Sequence, residues 1–211
     1  MRRDDDFELL QAWRAGDARA GSRLLVRHFR TVHRFVASRI DRGAEDLVQE
    51  VFLRCVERRD DFRGKGSFRS YLLAIARNKV IDHLRARHGL RAPETLETKS
   101  LHDMLPSPSR FVVERREQQV LLMALRRLPF DLQVAVELHY WEDLSTREIA
   151  HVLGIPQGTV KTRLARGRAR LRETIAEVAE ADALATATLA NLEQWARSLR
   201  DLVPEVAGDG E

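Results

Sequence analysis

The chain has 211 residues, of which 44 % are hydrophobic and 32 % are charged, and its formal net charge is +4. This length and hydrophobic content allow one or two domains with real cores, and the basic balance fits a polyanionic partner. Its one cysteine, Cys55, excludes an internal disulfide, and the seven scattered histidines offer no zinc-ligand spacing. Because no signal-peptide core or membrane-length apolar run is found, we expect a cytoplasmic protein without membrane insertion.

Helical periodicity without long strand-like alternation predicts an all-α fold. Two helices are expected between residues 7 and 40, separated at Gly16 and Asp17. The second carries a broad apolar stripe from Leu24 to Ile40. We interpret His28 within it as an ordinary packing or surface residue.

A third helix is expected after a break at residues 41–43. Its predicted buried face consists of Leu47, Val48, Val51, Phe52 and Val56. Asp46, Gln49 and Glu50, which we call the polar cluster, lie on the other side, with Arg54 one turn further. A solvated helix face is the simpler interpretation of this cluster when it is considered alone.

Residues 62–68, FRGKGSF, form a predicted loop with two glycines, which we call the glycine loop. The helix expected after it has an apolar face and a basic one. From Arg63 to Arg91 there are eight lysines and arginines against one acid, Asp82. Aromatic rings beside positive charge are typical of sites for single-stranded nucleic acid. An ordinary turn with Tyr71 half-buried is the competing interpretation.

Prolines and mixed charge without apolar periodicity predict a linker over residues 91–113. Helices are expected to resume at about Glu114, with a break at Pro129. The most informative segment follows, from Leu144 to Glu173. Ser145 and Glu148 match a capping box, which marks a helix start, and Gly154 marks the end of that helix.

The helix after Gly154 has two distinct faces. Val160 and Leu164 are expected to point back at the preceding helix, with Ile149, Ala150 and Leu153 on its buried face. No acid interrupts the basic residues, which are Lys161, Arg163, Arg166, Arg168, Arg170 and Arg172. This combination predicts a helix-turn-helix whose second helix enters the DNA major groove.

Beyond residue 176 the charge becomes acidic, and an amphipathic helix is expected around Leu192, Trp195, Leu199 and Leu202. This extension could dock on the preceding domains and modulate their access to their partners. It could equally extend the core of the second domain.

Three segments in this order resemble a bacterial RNA polymerase sigma factor of the extracytoplasmic-function type in the sigma-70 family. They are DLVQEVFLR at 46–54, FRGKGSFRSYLLAIARNKVIDHLR at 62–85 and GIPQGTVKTRLARGRARLRE at 154–173. The resemblance covers roughly residues 5 to 175. It implies sigma region 2 at 5–90, a linker at 91–113, sigma region 4 at 114–175 and an additional acidic extension at 176–211.

The resemblance also implies functions for individual residues. Core RNA polymerase would bind Asp46, Gln49, Glu50, Leu53 and Arg54. The minus-ten promoter element, with a base held out of the stack, would contact Phe62, Arg63, Lys65, Ser67, Phe68, Arg69, Tyr71, Arg77, Asn78 and Lys79. In the minus-thirty-five element, Lys161, Thr162 and Arg166 would face bases, and Thr159, Arg163 and Arg168 would face phosphates.

The implied function is to bind core polymerase, direct it to promoters and promote DNA melting, with an anti-sigma factor as an expected further partner. No catalytic residue, metal or cofactor is implied, because the synthesis of RNA would belong to the polymerase. Tyr71 stands where many relatives have tryptophan, so an aromatic ring is retained.

Two other functions are compatible with parts of the sequence. An autonomous regulator of duplex DNA would explain residues 144–173 but not the polar cluster or the glycine loop. A recombinase would need a nucleophilic serine or tyrosine among converging arginines, and no such motif is found.

Overall fold

The computed structural model describes residues 2–40, 42–64, 66–88, 100 and 116–178. Within these residues every regular secondary-structure element longer than one residue is a helix, which confirms the all-α prediction. The α-helices are α1 (Arg2–Arg14), α2 (Ala18–Ala37), α3 (Ala44–Glu57), α4 (Phe68–His88), α5 (Arg116–Arg126), α6 (Phe130–Tyr140), α7 (Thr146–Leu153) and α8 (Gln157–Val178). A short 3-10 turn, Arg59–Asp61, follows α3.

Local capping chemistry sets several of these boundaries. The Asp17 side chain accepts hydrogen bonds from the backbone N–H groups of Arg19 and Ala20, at 2.9 and 3.1 Å, and starts α2. Ser145 and Glu148 form both halves of the predicted capping box at the start of α7. Gly154 ends α7 in the left-handed conformation, with φ +67°. Individual residues in the sequence therefore predict these helix boundaries.

The chain divides into two compact units, described separately here. The first contains residues 1–89 and 144–157. In it α2 packs on α1, α3 and α4, while α3 and α7 each pack on α4. Its fully buried apolar side chains include Leu10, Leu24, Val32, Val36, Val51, Leu72, Leu73 and Leu84.

Two predicted buried faces in this unit need correction. On α3, Phe52 is only partly buried and Val56 is 37 % exposed, so the face is narrower than predicted. On α7, Val152 is buried and Ala150 is only partly buried. The buried face of this helix is therefore rotated slightly from the face predicted by the spacing of its apolar residues.

The second unit contains residues 90–143 and 158–211. Its described core joins α5, α6 and the carboxy-terminal half of α8 through Val120, Leu121, Ala124, Leu125, Leu128, Val136, Tyr140, Trp141, Leu171 and Ile175. Helix α8 approaches α6 closely at Gly167, where an added Cβ would lie 2.7 Å from Cγ2 of Val136. A larger residue there would force the two helices apart or displace Val136.

Several predictions concern residues outside those that the structure describes. They are the contribution of Lys65, the linker at 91–113 apart from Ser100, and the acidic extension from residue 179 with its amphipathic helix. The domain boundaries also stay predictions.

We expect Gly167→Ala to destabilise the second unit. Alanine gains about 1 kcal/mol of helix propensity, but overpacking against Val136 costs about 1–3 kcal/mol. Gly158→Ala in the same helix is the matched control, because no atom lies within 4 Å of its added Cβ. Urea unfolding compares the two variants. Equal stability of both would show that α8 and α6 are not in close contact at Gly167.

Candidate nucleic-acid interface

The aromatic residues that border the glycine loop belong to the core. Phe62 is 7 % exposed and Phe68 is 3 % exposed, and their rings meet edge to face with centroids 5.9 Å apart. The Tyr71 ring lies 5.3 Å from that of Phe62. Such packed rings can shape a pocket for a base, but they are not free to stack on one.

The backbone of the loop requires its glycines. Gly64 and Gly66 have φ of +73° and +93°, a region that side chains with a Cβ rarely adopt. At Gly66 an added Cβ would also lie 2.8 Å from Oγ of Ser70. After the glycines, the N–H of Ser67 donates to Ser70 Oγ at 3.1 Å, and the N–H of Ser70 donates to Ser67 Oγ at 3.2 Å. These two reciprocal bonds fix the start of α4.

A small cavity of about 230 Å³ adjoins the loop, lined by Asp61, Phe62, Arg63, Ser70, Tyr71, Ala74 and His151. It is smaller than the roughly 300–1,000 Å³ typical of drug-sized ligand sites, so it suits a single ring. Arg63 is exposed at its edge. Burial raises the pKa of Tyr71 to about 12, so its hydroxyl stays protonated and donates to the Arg58 carbonyl at 2.7 Å.

The hydroxyl of Ser67, another residue predicted to contact DNA, already has a partner. It donates to Oε1 of Glu148 in α7 at 3.0 Å. Glu148 is 8 % exposed and also forms the capping box of α7. Ser67 can therefore donate its hydroxyl proton to a nucleic-acid strand only after this hydrogen bond breaks.

A groove of about 710 Å³ lies between α3 and α4. It brings residues predicted for polymerase together with residues predicted for DNA, since Nζ of Lys79 lies 2.7 Å from Oε2 of Glu50. Leu53 at its edge is 63 % exposed, and Asn78 is also exposed. The charged lining comprises Glu50, Glu57, Asp61 and Asp82 against Arg54, Arg58 and Lys79.

This balance of charge disfavours a DNA phosphate backbone along the whole groove, because acids outnumber bases. It suits a protein surface with charges and an apolar contact for Leu53. Asp46 and Gln49 of the polar cluster are also exposed on α3.

On α8 the predicted base-facing residues are all exposed. Lys161, Thr162 and Arg166 are open to solvent, as is Thr159. Thr162 and Arg166 are four residues apart and lie opposite the stripe of Val160 and Leu164, which are 0 % and 5 % exposed. Helical geometry therefore presents Thr162 and Arg166 directly outward.

The two predicted phosphate-binding arginines of α8 are held against α6 instead of extending freely. Nε of Arg163 lies 3.2 Å from Oδ2 of Asp131, with both side chains mostly buried. Arg168 is partly buried and its Nη1 donates to the Tyr140 hydroxyl at 3.3 Å. Their charge still contributes to the basic field, but each guanidinium has a structural contact as well.

Sequence reasoning missed the polar contacts of α1. Asp6 accepts a hydrogen bond from Nη1 of Arg27 at 2.7 Å, and its Oδ2 lies 2.8 Å from Nε2 of His28. Burial raises the pKa of Asp6, but its hydrogen bonds and charge interactions with His28 and Arg27 outweigh this, so the pKa is lowered. The stabilisation is present above the usual carboxyl pKa and is lost as the pH falls through the lowered value.

The His28 ring in turn lies 5.7 Å from that of Phe68 at the start of α4. Arg14, at the end of α1, donates hydrogen bonds to the carbonyls of Arg59, before the glycine loop, and Phe62, its first residue. No local sequence signal marks either contact, because the partners are more than twenty residues apart.

Cys55 is buried, and burial raises the pKa of its thiol to about 12. Among the described residues no His, Cys, Asp and Glu side chains gather in a metal-binding group. No helix in that part of the chain combines the length and apolar character needed to cross a bilayer.

Comparison with known proteins relates these features to a family. The Sigma-70 region 2 family matches residues 24–89, and the Sigma-70 region 4 family matches residues 118–171. The ECF RNA polymerase sigma-E factor of Escherichia coli K12 is 30 % identical over 173 residues, which span 77 % of this chain and 90 % of that relative. The chain belongs to the ECF sigma factors of the sigma-70 family. The resemblance inferred from the sequence is confirmed.

A second relative of this sigma factor is the ECF RNA polymerase sigma factor BldN of Streptomyces coelicolor. It is 36 % identical over 159 residues, covering 74 % of this chain but 60 % of the relative. Two solved structures share the fold. CnrH in complex with the cytosolic domain of CnrY has a TM-score of 0.59 at 24 % identity and covers 82 % of this chain and 98 % of its own.

The second is the sigma factor RpoE in complex with the anti-sigma factor NepR from Bartonella quintana. Its TM-score is 0.57 at 23 % identity, and the match covers 74 % of this chain and 96 % of that one. At these identities the two structures support the fold of the sigma factor and nothing further.

The contacts of α8 predict different costs for two arginine substitutions. Arg163→Ala should lower the free energy of unfolding by about 1 kcal/mol, because it removes the mostly buried ion pair with Asp131. Arg166→Ala, on the exposed side of the same helix, should change it by less than about 0.5 kcal/mol. Urea unfolding of both variants measures the difference. A larger loss for Arg166→Ala would mean that α8 is rotated relative to α6 from the orientation described here.

Proposed function

We propose that this ECF sigma factor binds core RNA polymerase, directs it to specific promoters and promotes melting of the minus-ten element. The observation that carries the proposal is the occurrence of Sigma-70 region 2 and region 4 in one chain, in that order. The protein would act in the cytoplasm, where polymerase and chromosome meet, and the chemistry of RNA synthesis would remain that of the polymerase.

The polymerase-binding surface would be the polar cluster with Leu53 and Arg54. The cluster is exposed on α3, and Leu53 adds an exposed apolar side chain next to it. A charged rim around an apolar contact is typical of protein interfaces. The adjoining mixed-charge groove supports a protein partner here, because it offers no continuous positive surface to DNA.

The minus-ten element would bind at the glycine loop and along α4. The single-ring cavity beside Arg63 and Tyr71 would receive one unstacked base, whose removal from the duplex costs a few kcal/mol. Arg69, Arg77 and Lys79 would contact the backbone of the melted strand, and Asn78 a base. Phe62 and Phe68 would contribute by shaping the cavity from within the core.

The minus-thirty-five element would bind α8 in its major groove. Thr162 and Arg166 support base contacts because they point directly outward, with Lys161 beside them. Thr159 would contact phosphate, and Arg163 and Arg168 would do so while also holding α8 against α6.

An anti-sigma factor would be a further partner. One protein that shares this fold, the sigma factor RpoE, is described in complex with the anti-sigma factor NepR, and another, CnrH, in complex with the cytosolic domain of CnrY. The surface it would cover overlaps the sites for polymerase and DNA.

Reconstituted transcription tests the function as a whole. Core polymerase plus this protein should initiate at promoters identified by sequencing transcripts after overexpression, and thymines in the minus-ten element should become reactive to permanganate. Initiation that requires another sigma factor would instead support an autonomous regulator.

We expect the double variant Asp46→Lys with Glu50→Gln to weaken association with core polymerase by about tenfold or more, since it reverses or removes charge at the interface. Glutamine is chosen at residue 50 so that no lysine is placed beside Lys79. Asp5→Lys with Glu8→Gln on α1 is the matched control, with the same net charge change at exposed positions. Equal affinity of both double variants in a titration with labelled core polymerase would contradict the assigned interface.

Arg166→Ala should change which base is preferred in the minus-thirty-five element, with a loss of about 1–3 kcal/mol of discrimination at one position. Arg172→Ala, also exposed on α8 but almost three turns beyond Thr162, should leave base preference unchanged. Holoenzyme binding to a library of promoter variants at fixed salt measures both. If Arg166→Ala weakened all sequences equally, its contact would be to phosphate.

A further inference from the structure

Side chains from other helices donate hydrogen bonds to backbone carbonyls in the segment that leads into the glycine loop. Helix α3 ends at Glu57 and is followed by the 3-10 turn Arg59–Asp61, in which the N–H of Asp61 donates to the Arg58 carbonyl at 3.0 Å. The Arg58 carbonyl accepts the Tyr71 hydroxyl at 2.7 Å. The carbonyls of Arg59 and Phe62 both accept hydrogen bonds from one side chain of a distant helix.

That side chain is Arg14, the last residue of α1. Its Nη2 donates to the carbonyl of Arg59 at 2.6 Å and to that of Phe62 at 2.7 Å. Its Nε lies 3.4 Å from Oδ1 of the exposed Asp60. One guanidinium nitrogen thus bridges the two ends of the turn, and charge-assisted bonds of this kind are stronger than neutral ones.

The end of α1 is itself held rigidly in the first unit. Trp13 is 8 % exposed and packs against Gly21 of α2, where an added Cβ would lie 2.6 Å from the indole ring. The guanidinium of Arg59 lies 5.6 Å from the centroid of the same ring. Arg14 therefore extends from a fixed support to a turn that has few bonds of its own.

The glycine loop needs such a support on its leading side. Its trailing side is fixed by the reciprocal bonds of Ser67 and Ser70, while Gly64 and Gly66 between them offer little resistance to bending. Phe62 lies two residues before Gly64, and its carbonyl accepts a hydrogen bond from Arg14. The direction in which Arg63 leaves the core thus depends on Arg14.

We propose that Arg14 is a positioning residue for minus-ten recognition: it fixes the backbone of Phe62 and thereby orients the glycine loop around the unstacked base. This inference rests on the proposed role of the glycine loop. Arg14 would not touch DNA, and it lies outside the residues that match Sigma-70 region 2, which begin at residue 24.

The test uses holoenzyme assembled from core polymerase and the full chain. The probe is a fluorescent single strand carrying the minus-ten sequence of a promoter that the holoenzyme uses. Arg14→Met keeps the aliphatic stem but removes both hydrogen bonds and should bind the strand about tenfold more weakly. Arg14→Lys retains a charged donor nitrogen and should recover part of this affinity. Arg23→Met, exposed on α2, loses the same charge and should bind like the wild type.

Two further measurements separate positioning from general damage. Affinity for core polymerase and for duplex minus-thirty-five DNA should stay within about twofold of wild type in Arg14→Met. If core affinity fell as far as strand affinity, the variant would be destabilised as a whole and the inference would be overturned.

Failure of the inference is distinguishable from failure of the proposed function. Arg63→Ala, at the loop itself, serves this purpose. If Arg63→Ala weakened strand binding and Arg14→Met did not, the loop would be the minus-ten site and Arg14 would not position it. If neither Arg63→Ala nor Tyr71→Ala affected strand binding, the role assigned to the loop would be wrong.

Discussion

The hydrogen bonds that fix both ends of the glycine loop are the constraint on which the proposed promoter-opening surface depends. A loop with two glycines at positive φ has no preferred direction of its own, so its shape must come from what it is attached to. On one side the attachment is a pair of serines within α4, and on the other it is the Arg14 guanidinium. The first is local in sequence, whereas the second joins residues 45 and 48 positions apart. Pocket geometry therefore depends on how α1 packs as well as on the loop.

On α8, some basic side chains support the packing of the helix and others are exposed to solvent. Its six basic residues between Lys161 and Arg172 look equivalent in the sequence, since no acid interrupts them. In the structure Arg163 and Arg168 contact Asp131 and Tyr140 of α6, while Arg166 faces outward. A basic helix that must also pack on its domain divides its arginines in this way, because a long side chain at the edge of the buried stripe covers apolar surface with its stem.

Between α3 and α4, two predicted sites that are separate in sequence share one surface. Glu50 and Lys79 form an ion pair across the groove, so a ligand that binds either residue changes the electrostatic environment of the other. Exposed pairs of this kind contribute little stability and exchange partners easily. Such a pair suits a surface that would bind polymerase on one side and a DNA strand on the other.

The sequence alone determined the helices, several of their boundaries and the family. Asp17, Ser145, Glu148 and Gly154 act on neighbouring backbone groups, so their effect can be predicted from spacing within a single turn. Apolar periodicity likewise located the core faces, apart from errors at Phe52, Val56 and Ala150, where the packing partner and not the spacing sets the edge of the buried stripe.

Only the tertiary structure decided which polar side chains support the candidate sites and which are available to a partner. Arg14, Asp6 and Arg163 each act on a residue brought close by packing of another helix. A sequence pattern records the period of one helix, but it does not record the azimuth at which a second helix docks. Hydrogen bonds and ion pairs between helices depend on that azimuth, and they become visible only once the helices are packed.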